Sequence, residues 1–460
     1  MISQSWASVL IRLPAESAQQ PVTNVGREPN TGKTILAKQG AKWQFGKGQE
    51  IDVLLLDAEN RQALATMRVL ARAGLKVGAV TSESEAWWAP SAKSRYCSAH
   101  AIVPNLTSES QTYVQAIVDL LDEQPARVVI PTGDGTIQTL RLRRAEIEQR
   151  SALALASEAA LDIAVNKSRT LTLATELGIA VPHTVPVAGC GDVPAALREV
   201  GLPAVIKPIE SWAERDGMGA RLAPNVVQTI DEAKQTVDHV LSEGGRALIQ
   251  EWLPGQREAV TLFYAHGRFW ARMAQMSYRE WPVLGGVSVL CETIALPADI
   301  ADDAAQLVQA MDLEGCSMVE FRRDRHRRPI LMEVNPRMGG SVALAISAGV
   351  NIPQLMYDWK LDRALQEYAT YRVGKRLRWL AGDVWNLKCI FENQGQPDVP
   401  PRLTAAAAFV TDFFRPNQVD GLELGDLRPL LTEMNKLVLR HSLRRARRLF
   451  SPGRTLPSER

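Results

Sequence analysis

From Ile51 onward, short apolar runs alternate along the chain with longer stretches whose apolar residues return every three to four positions. The first pattern predicts strands and the second helices, because side chains repeat every two residues along a strand and every 3.6 around a helix. It gives strands over 53–56, 75–81, 100–103 and 127–131, with helices over 60–73 and 108–121. Strand and helix alternating at this spacing imply a small parallel sheet with crossover helices. Such sheets place ligands beyond the carboxyl ends of their strands, which makes Asp134 in Pro131-Thr132-Gly133-Asp134-Gly135 a candidate substrate contact. A helix N-cap would use the same residue.

Farther along, Leu331-Met332-Glu333-Val334-Asn335-Pro336-Arg337 sets a carboxylate, an amide and a guanidinium on alternate residues of an apolar strand, ahead of Gly339-Gly340-Ser341. Alternate residues share a face. Glu333 and Asn335 can therefore offer hard oxygen ligands to magnesium, and Arg337 can reach a phosphate or a developing oxyanion. Cys316-Ser317-Met318-Val319-Glu320-Phe321 reads as a second strand that the basic turn 322–328 folds back as a hairpin, bringing Glu320 beside Glu333. Two carboxylates and an amide converging on one cation are what a magnesium-nucleotide site needs.

These two strands resemble those of the ATP-grasp superfamily, whose members carry a Glu on one late strand and Glu-x-Asn-x-Arg on the next. Ser347-Ala348-Gly349-Val350-Asn351-Ile352-Pro353 is similar to the family as well, and the likeness spans about residues 50–385. It implies an α/β chain, α+β in its nucleotide lobes, with the ATP-grasp fold. A Rossmann-like pre-ATP-grasp domain would occupy 49–150, and an ATP-grasp domain 151–385, in two lobes with a hinge near 250–255. Residues 1–48 would form a polar, loosely ordered extension and 386–460 a C-terminal extension.

The resemblance also implies roles. Lys207, ending the apolar strand Ala204-Val205-Ile206-Lys207, and Lys167, opening a helix at Asn166-Lys167-Ser168, would bind ATP phosphates. Gly217 and Gly219 lie where the family keeps a phosphate-covering loop, although 210–219 is longer, more acidic and poorer in glycine than that pattern. Glu251 and Leu253 would contact adenine, and Glu258 the ribose. Glu320, Glu333 and Asn335 would hold Mg2+, with Mn2+ as an alternative. Arg337 and Arg272 would stabilise the transferring phosphoryl group, and Arg279 and Gly286 would contact substrate. The expected activity is that of an ADP-forming carboxylate-amine ligase acting through an acyl phosphate on a small carboxylate and a small amine, such as a peptide, amino acid or cell-envelope precursor. A bicarbonate-using carboxylase or carbamoyl-phosphate-forming enzyme is the first alternative, and a non-catalytic nucleotide binder the second.

Composition narrows the picture further. The chain has 460 residues, 46% of them hydrophobic, enough for two or three cores. Five cysteines without a Cys-x-x-Cys pair, and six histidines without metal spacing, argue for a reducing compartment and against zinc. A net charge of +2 gives no reason to expect nucleic acid as a partner. Gly32-Lys33-Thr34 imitates the end of a P-loop, but Arg27 occupies the place of its required glycine. Nothing reads as a transmembrane span or leader, so a cytoplasmic protein is expected, as a homodimer by family precedent. From Lys436 to the end, Lys436, Arg440, Arg444, Arg445, Arg447, Arg448, Arg454 and Arg460 oppose only Glu459, with apolar residues between them. That composition suits a basic amphipathic tail resting on the inner face of a membrane.

Overall fold

The computed structural model describes residues 34–36, 42–44, 50–396 and 398–436. The Gly32-Lys33 pair and the tail beyond Lys436 lie outside them. Strands Ile51–Leu55, Val77–Ser82, Cys97–Val103, Ala126–Ile130 and Ala152–Leu153 run parallel. In space their order is third, second, first, fourth, fifth. The order reverses between Ile51–Leu55 and Ala126–Ile130, where an open parallel sheet leaves a crevice beyond its carboxyl ends. Helices Arg61–Arg72 and Ser110–Glu123 are the expected crossovers, burying Leu64, Met67 and Leu70, and Val114, Ile117 and Leu121. Two further strands, Thr34–Leu36 and Lys42–Gln44, add an antiparallel edge to Cys97–Val103, so the extension read as loosely ordered contributes to the sheet.

The next sheet is antiparallel, in the spatial order Asn225–Val227, Ala204–Pro208, Ala247–Glu251, Thr184–Val187. Helices Val193–Val200 and Ile230–Ser242 pack Val193, Leu197, Val237 and Val240 against its Ile206 and Ile249. Since neighbours on a strand face opposite ways, Lys207 is turned away from that core.

The third sheet orders Pro329–Asn335, Gly315–Arg323, Arg257–Ala265, Arg268–Trp281, Val287–Ile294, Arg376–Arg378 and Gln418–Val419, antiparallel except for the last pair. Val260, Leu262, Val319 and Phe321 turn to one face, covered by Ile300 and Leu307 of helix Ala298–Ala310. Phe263 and Cys316 turn to the other and pack with Ile352, Leu355 and Tyr357 of helix Ile352–Lys360. Farther along that second face the side chains become polar, and these form the site.

Residues beyond 386 are more than a linker and tail. Helix Leu380–Glu392 meets helix Arg402–Thr411, and strand Gln418–Val419 joins the third sheet. The chain then returns to the first domain as a strap. Asp420 pairs with Arg61 at 2.8 Å, Asp426 accepts from Arg68 Nε (3.0 Å), Ser94 Oγ (2.6 Å) and the Arg95 amide (2.9 Å), and Lys436 pairs with Glu85.

Candidate active site

The hairpin of Gly315–Arg323 and Pro329–Asn335 sets Glu320 directly across from Glu333 and Met318 across from Asn335. The Asn335 amide nitrogen lies 3.4 Å from Glu320 Oε1 and 3.3 Å from Glu333 Oε1, so it donates to both carboxylates. Arg257 enters from the neighbouring strand, with Nη1 2.8 Å from Glu320 Oε2 and Nε 3.0 Å from Glu280 Oε1. Arg322 also reaches Glu280, at 2.7 Å. Beyond Glu280 opens a cavity of about 680 Å³ shared by Trp252, Tyr278, Arg322 and Arg376.

Burial drives the Glu320 carboxyl upward; Arg257 opposes this, the charges of Glu333 and Glu280 add to it, and the balance lies at about 7. For Glu333 burial also acts upward, but Lys167 and Lys207 outweigh it and hold the group below the usual carboxylate range. The two lysines come from different elements. Lys167 opens helix Lys167–Glu176 behind the Asn166 cap and donates to Ser211 Oγ at 3.1 Å. Lys207 projects from Ala204–Pro208 to within 3.5 Å of the Met332 carbonyl, and burial lowers it to about 8 despite the pull of Glu333. Lys207, Glu320, Glu333 and Lys167 thus share one buried electrostatic neighbourhood.

Arg337 closes the far side. It grips Asp134 through Nε and, at 2.9 Å, Nη2, joining the glycine turn to the crevice of the parallel sheet. Burial alone would raise Asp134; Arg337 brings it down to about 2. Asp57, at the carboxyl end of the first parallel strand with φ of 56°, accepts from the Thr132 and Gly133 amides at 2.9 and 2.7 Å and from the Thr136 hydroxyl. It fixes the loop that presents Asp134. Arg61 lies beside Gly340, stacked 4.2 Å over Trp379 and donating to the Ser288 carbonyl at 3.3 Å; a Cβ on Gly340 would stand 3.0 Å from its Nη2.

Gly217 takes φ of 77° in the turn between Trp212–Arg215 and Met218–Arg221. Gly219 has a packing reason to be glycine: a Cβ there would run into the Trp212 ring, as would one on Gly135 of helix Asp134–Arg141. Trp212 is clamped between the two, while the Gly219 amide donates to the Thr107 carbonyl at 3.0 Å and Ser110 donates to Glu214 at 2.8 Å. The hairpin is therefore docked on the first domain.

Other sequence candidates lie apart from this cluster. Glu258 pairs with Phe321, on the face opposite Glu320, and is held by Arg323 at 2.7 and 2.9 Å. Arg272 pairs with Leu262 and shares its face, exposed beside Phe269. Alternation decides both cases, since Glu320 lies across from Ala259, which pairs in turn with Gln275. Arg279 is consumed by Asp383 (2.7 Å) and Asp412 (2.6 Å) of the C-terminal helices. Gly286 closes a tight turn in which a Cβ would meet the Trp281 carbonyl. Leu253 is buried in the hinge, and the Glu251 carboxylate accepts from the His183 amide at 2.8 Å. Sequence reasoning missed Arg257, Asp57, Arg61 and Glu280. Arg257 was within reach, because it stands two residues before Ala259, the cross-strand partner of Glu320.

The donor set of Glu320, Glu333 and Asn335 suits a hard cation that keeps several waters. A cation there would offset the burial and the neighbouring negative charge that push Glu320 up to about 7. The amide fits too once its oxygen, rather than its nitrogen, faces the acids. Among the described residues no cluster of three His, Cys, Asp or Glu offers another metal site.

Residues 245–382 match a family model described as "ATP-grasp in the biosynthetic pathway with Ter operon". A formate-dependent phosphoribosylglycinamide formyltransferase of Wolinella succinogenes is 22% identical over 155 residues, 34% of this chain and 38% of that protein. The match thus spans well under half of the curated relative. Among solved structures, biotin carboxylase from Campylobacter jejuni superposes with a TM-score of 0.57 at 17% identity, over 71% of this chain and 74% of the other. N5-carboxyaminoimidazole synthetase from Staphylococcus aureus, complexed with ADP, gives 0.53 at 13% identity over 72% and 83%. L-amino acid ligase from Bacillus licheniformis gives 0.50 at 16% identity over 68% and 75%. These likenesses establish the fold.

Proposed function

We propose, from the match of residues 245–382 to an ATP-grasp family model and from the shared fold, that the chain uses ATP to activate a substrate carboxylate as an acyl phosphate, which an amine then converts to an amide. The observation that carries this reading is the convergence of Lys167, Lys207, Glu320, Glu333, Asn335 and Arg337 from four separate chain segments. Two buried lysines, neither in a direct ion pair among the described residues, lie in the electrostatic reach of the half-buried Glu333, beside the buried Glu320.

Held by Glu320, Glu333 and Asn335, Mg2+ would neutralise phosphate charge during transfer. Lys167 and Lys207 would orient the ATP phosphates as fixed cations in a site whose low dielectric strengthens them. The hinge backbone around Glu251 and Leu253 would receive the adenine edge, and the docked hairpin at Gly217 and Gly219 would limit water entry over the phosphates. A carboxylate oxygen attacks the γ-phosphorus as the bond to ADP breaks. The amine nitrogen then attacks the acyl carbon, phosphate leaves, and one proton is released. Arg337, oriented by Asp134, would stabilise negative charge on the transferring phosphoryl group and on the tetrahedral oxyanion. Its bidentate anchor fixes the guanidinium plane, which a lysine could not match.

The test is ADP and phosphate release from Mg-ATP across a matrix of carboxylates and amines, with bicarbonate and single-component controls. Release that needs both an acid and an amine supports the ligase; release with bicarbonate and no amine would favour a carboxylase. ATP binding without turnover across the matrix would favour a non-catalytic nucleotide binder.

A further inference from the structure

The cavity of about 680 Å³ beyond Glu280 takes no part in the proposed reaction, although its size suits a small molecule. One wall is the third sheet, with Tyr278, Glu292 and Arg376; the other is Ile390 of helix Leu380–Glu392 with Ala405 and Ala408 of helix Arg402–Thr411. That second wall lies beyond the matched segment 245–382.

Strand pairing carries Arg376 to Glu292, Glu292 to Met276 and Met276 to Glu258, so Arg376 stands on the sheet face opposite Glu320. An anion held there is neither the magnesium nucleotide nor the carboxylate to be phosphorylated. Three arginines converge on the single carboxylate of Asp412: Arg279 at 2.6 Å, Arg376 at 3.3 Å and Arg415 at 3.4 Å. Arg279 takes the close contact and is completed by Asp383 at 2.7 Å. Arg376 also stands 3.3 Å from Glu292, and its buried Nε has no hydrogen-bond partner among the described residues. A buried donor ordinarily has one. Arg415, whose side chain is 59% exposed, lines the same cavity.

The acids of the wall are already engaged, Glu280 by Arg257 and Arg322, Glu292 by Arg376, and Asp412 by its three arginines. The unused capacity is therefore cationic. Trp252, Leu284, Ile390 and Ala408 add an apolar surface to it.

We propose that this cavity is a second ligand site, which takes a small organic anion: a carboxylate or phosphate monoester on an apolar body, its oxygens meeting Arg376 and Arg415. The guanidinium fork fits either head group, and Arg376 Nε gains the acceptor it lacks. The apolar body leaves water against Trp252 and Ile390.

Calorimetry on the full-length protein tests this with three probes: N-acetylphenylalanine, phenyl phosphate, and the neutral N-acetylphenylalanine amide. At least one anion should bind, the amide about tenfold or more weaker, and whichever anion binds tighter identifies the head group. Saturating magnesium and the β,γ-imido analogue of ATP should leave that affinity unchanged, because the two sites lie on opposite faces. Arg376→Gln should weaken anion binding by about tenfold, with partial recovery in Arg376→Lys, and Arg415→Gln by about threefold. Thr404→Trp, at an exposed position of the cavity wall, should block all three probes with melting unchanged. No binding of either anion, equal binding of the amide, or wild-type affinity in Arg415→Gln and Thr404→Trp overturns the proposal. Competition between anion and nucleotide would also overturn it and assign the cavity to the nucleotide site. None of these readouts requires turnover, so failure of the ligase reading leaves the test intact.

Discussion

Glu320→Gln should make the metal-free protein more stable while abolishing its magnesium-dependent turnover. The Glu320 carboxyl is 4% exposed and rises from 4.5 to about 7 because burial and the charges of Glu333 and Glu280 outweigh Arg257. That displacement corresponds to about 3 kcal/mol of strain when the group is ionised. Gln removes the charge but weakens the bond to Arg257, at a cost of about 1–2 kcal/mol. Glu280 still holds that guanidinium at 3.0 Å, so a net gain of about 1–2 kcal/mol is expected. Since the folded value exceeds the unfolded one, the burden is absent below about 4.5, grows as pH rises, and is complete above about 7. The advantage of the variant should therefore be largest near pH 8 and vanish near pH 5 in thermal melts. Magnesium should raise the melting temperature of the wild type but not that of the variant, because only the wild type retains both carboxylates. A variant less stable than wild type at pH 8 would refute the account of Glu320 as a buried, crowded charge, and a magnesium shift equal in both proteins would refute the metal assignment.

Lys207→Met should weaken ATP binding by about tenfold or more in calorimetry. Wild-type affinity, but not that of the variant, should also fall as pH rises through about 8, where Lys207 loses its charge; a flat profile removes it from the site. Gly219→Ala drives a Cβ into Trp212, so we expect a loss of about 1–3 kcal/mol and faster proteolysis within 212–221; unchanged cleavage would deny that the hairpin is docked. Asp426→Ala leaves Arg68, Ser94 and the Arg95 amide without their shared acceptor, and should cost about 2–4 kcal/mol in denaturant unfolding. An unchanged midpoint would show that the strap contributes little to holding the first domain.

How much of this could be read from the sequence depended on whether the relevant signal was local. Alternation along Leu331 to Arg337 placed Glu333, Asn335 and Arg337, and one basic turn was enough to bring Glu320 opposite Glu333. The same rule, continued across the next two strands, excludes Glu258 and Arg272 from the face bearing Glu320, but using it requires the register of strands distant in sequence. Arg279 could not be resolved, because its partners Asp383 and Asp412 lie in a C-terminal segment with no short-range mark of where it packs. That segment also supplies Asp420 to Arg61 and Asp426 to Arg68 across more than 350 positions.

The strap bears on the site as well as on the fold. Arg61 stacks on Trp379, touches the Ser288 carbonyl and borders Gly340, and one of its Nη atoms is held by Asp420. Ser288 in turn accepts from Arg257, which holds Glu320. A continuous run of contacts therefore leads from the returning C-terminal chain to the proposed metal carboxylate. Contact alone does not establish coupling, which needs an element with two arrangements biased from both ends. Arg257 is the candidate for that element, because a cation between Glu320 and Glu333 would compete with its guanidinium for the Glu320 carboxylate. Release of Arg257 toward Glu280 and Ser288 on metal binding would then pull on the Ser288 contact that Arg61 shares, and Asp420→Asn should change the magnesium dependence of nucleotide binding. Identical magnesium titrations for Asp420→Asn and wild type would confine the strap to a structural role.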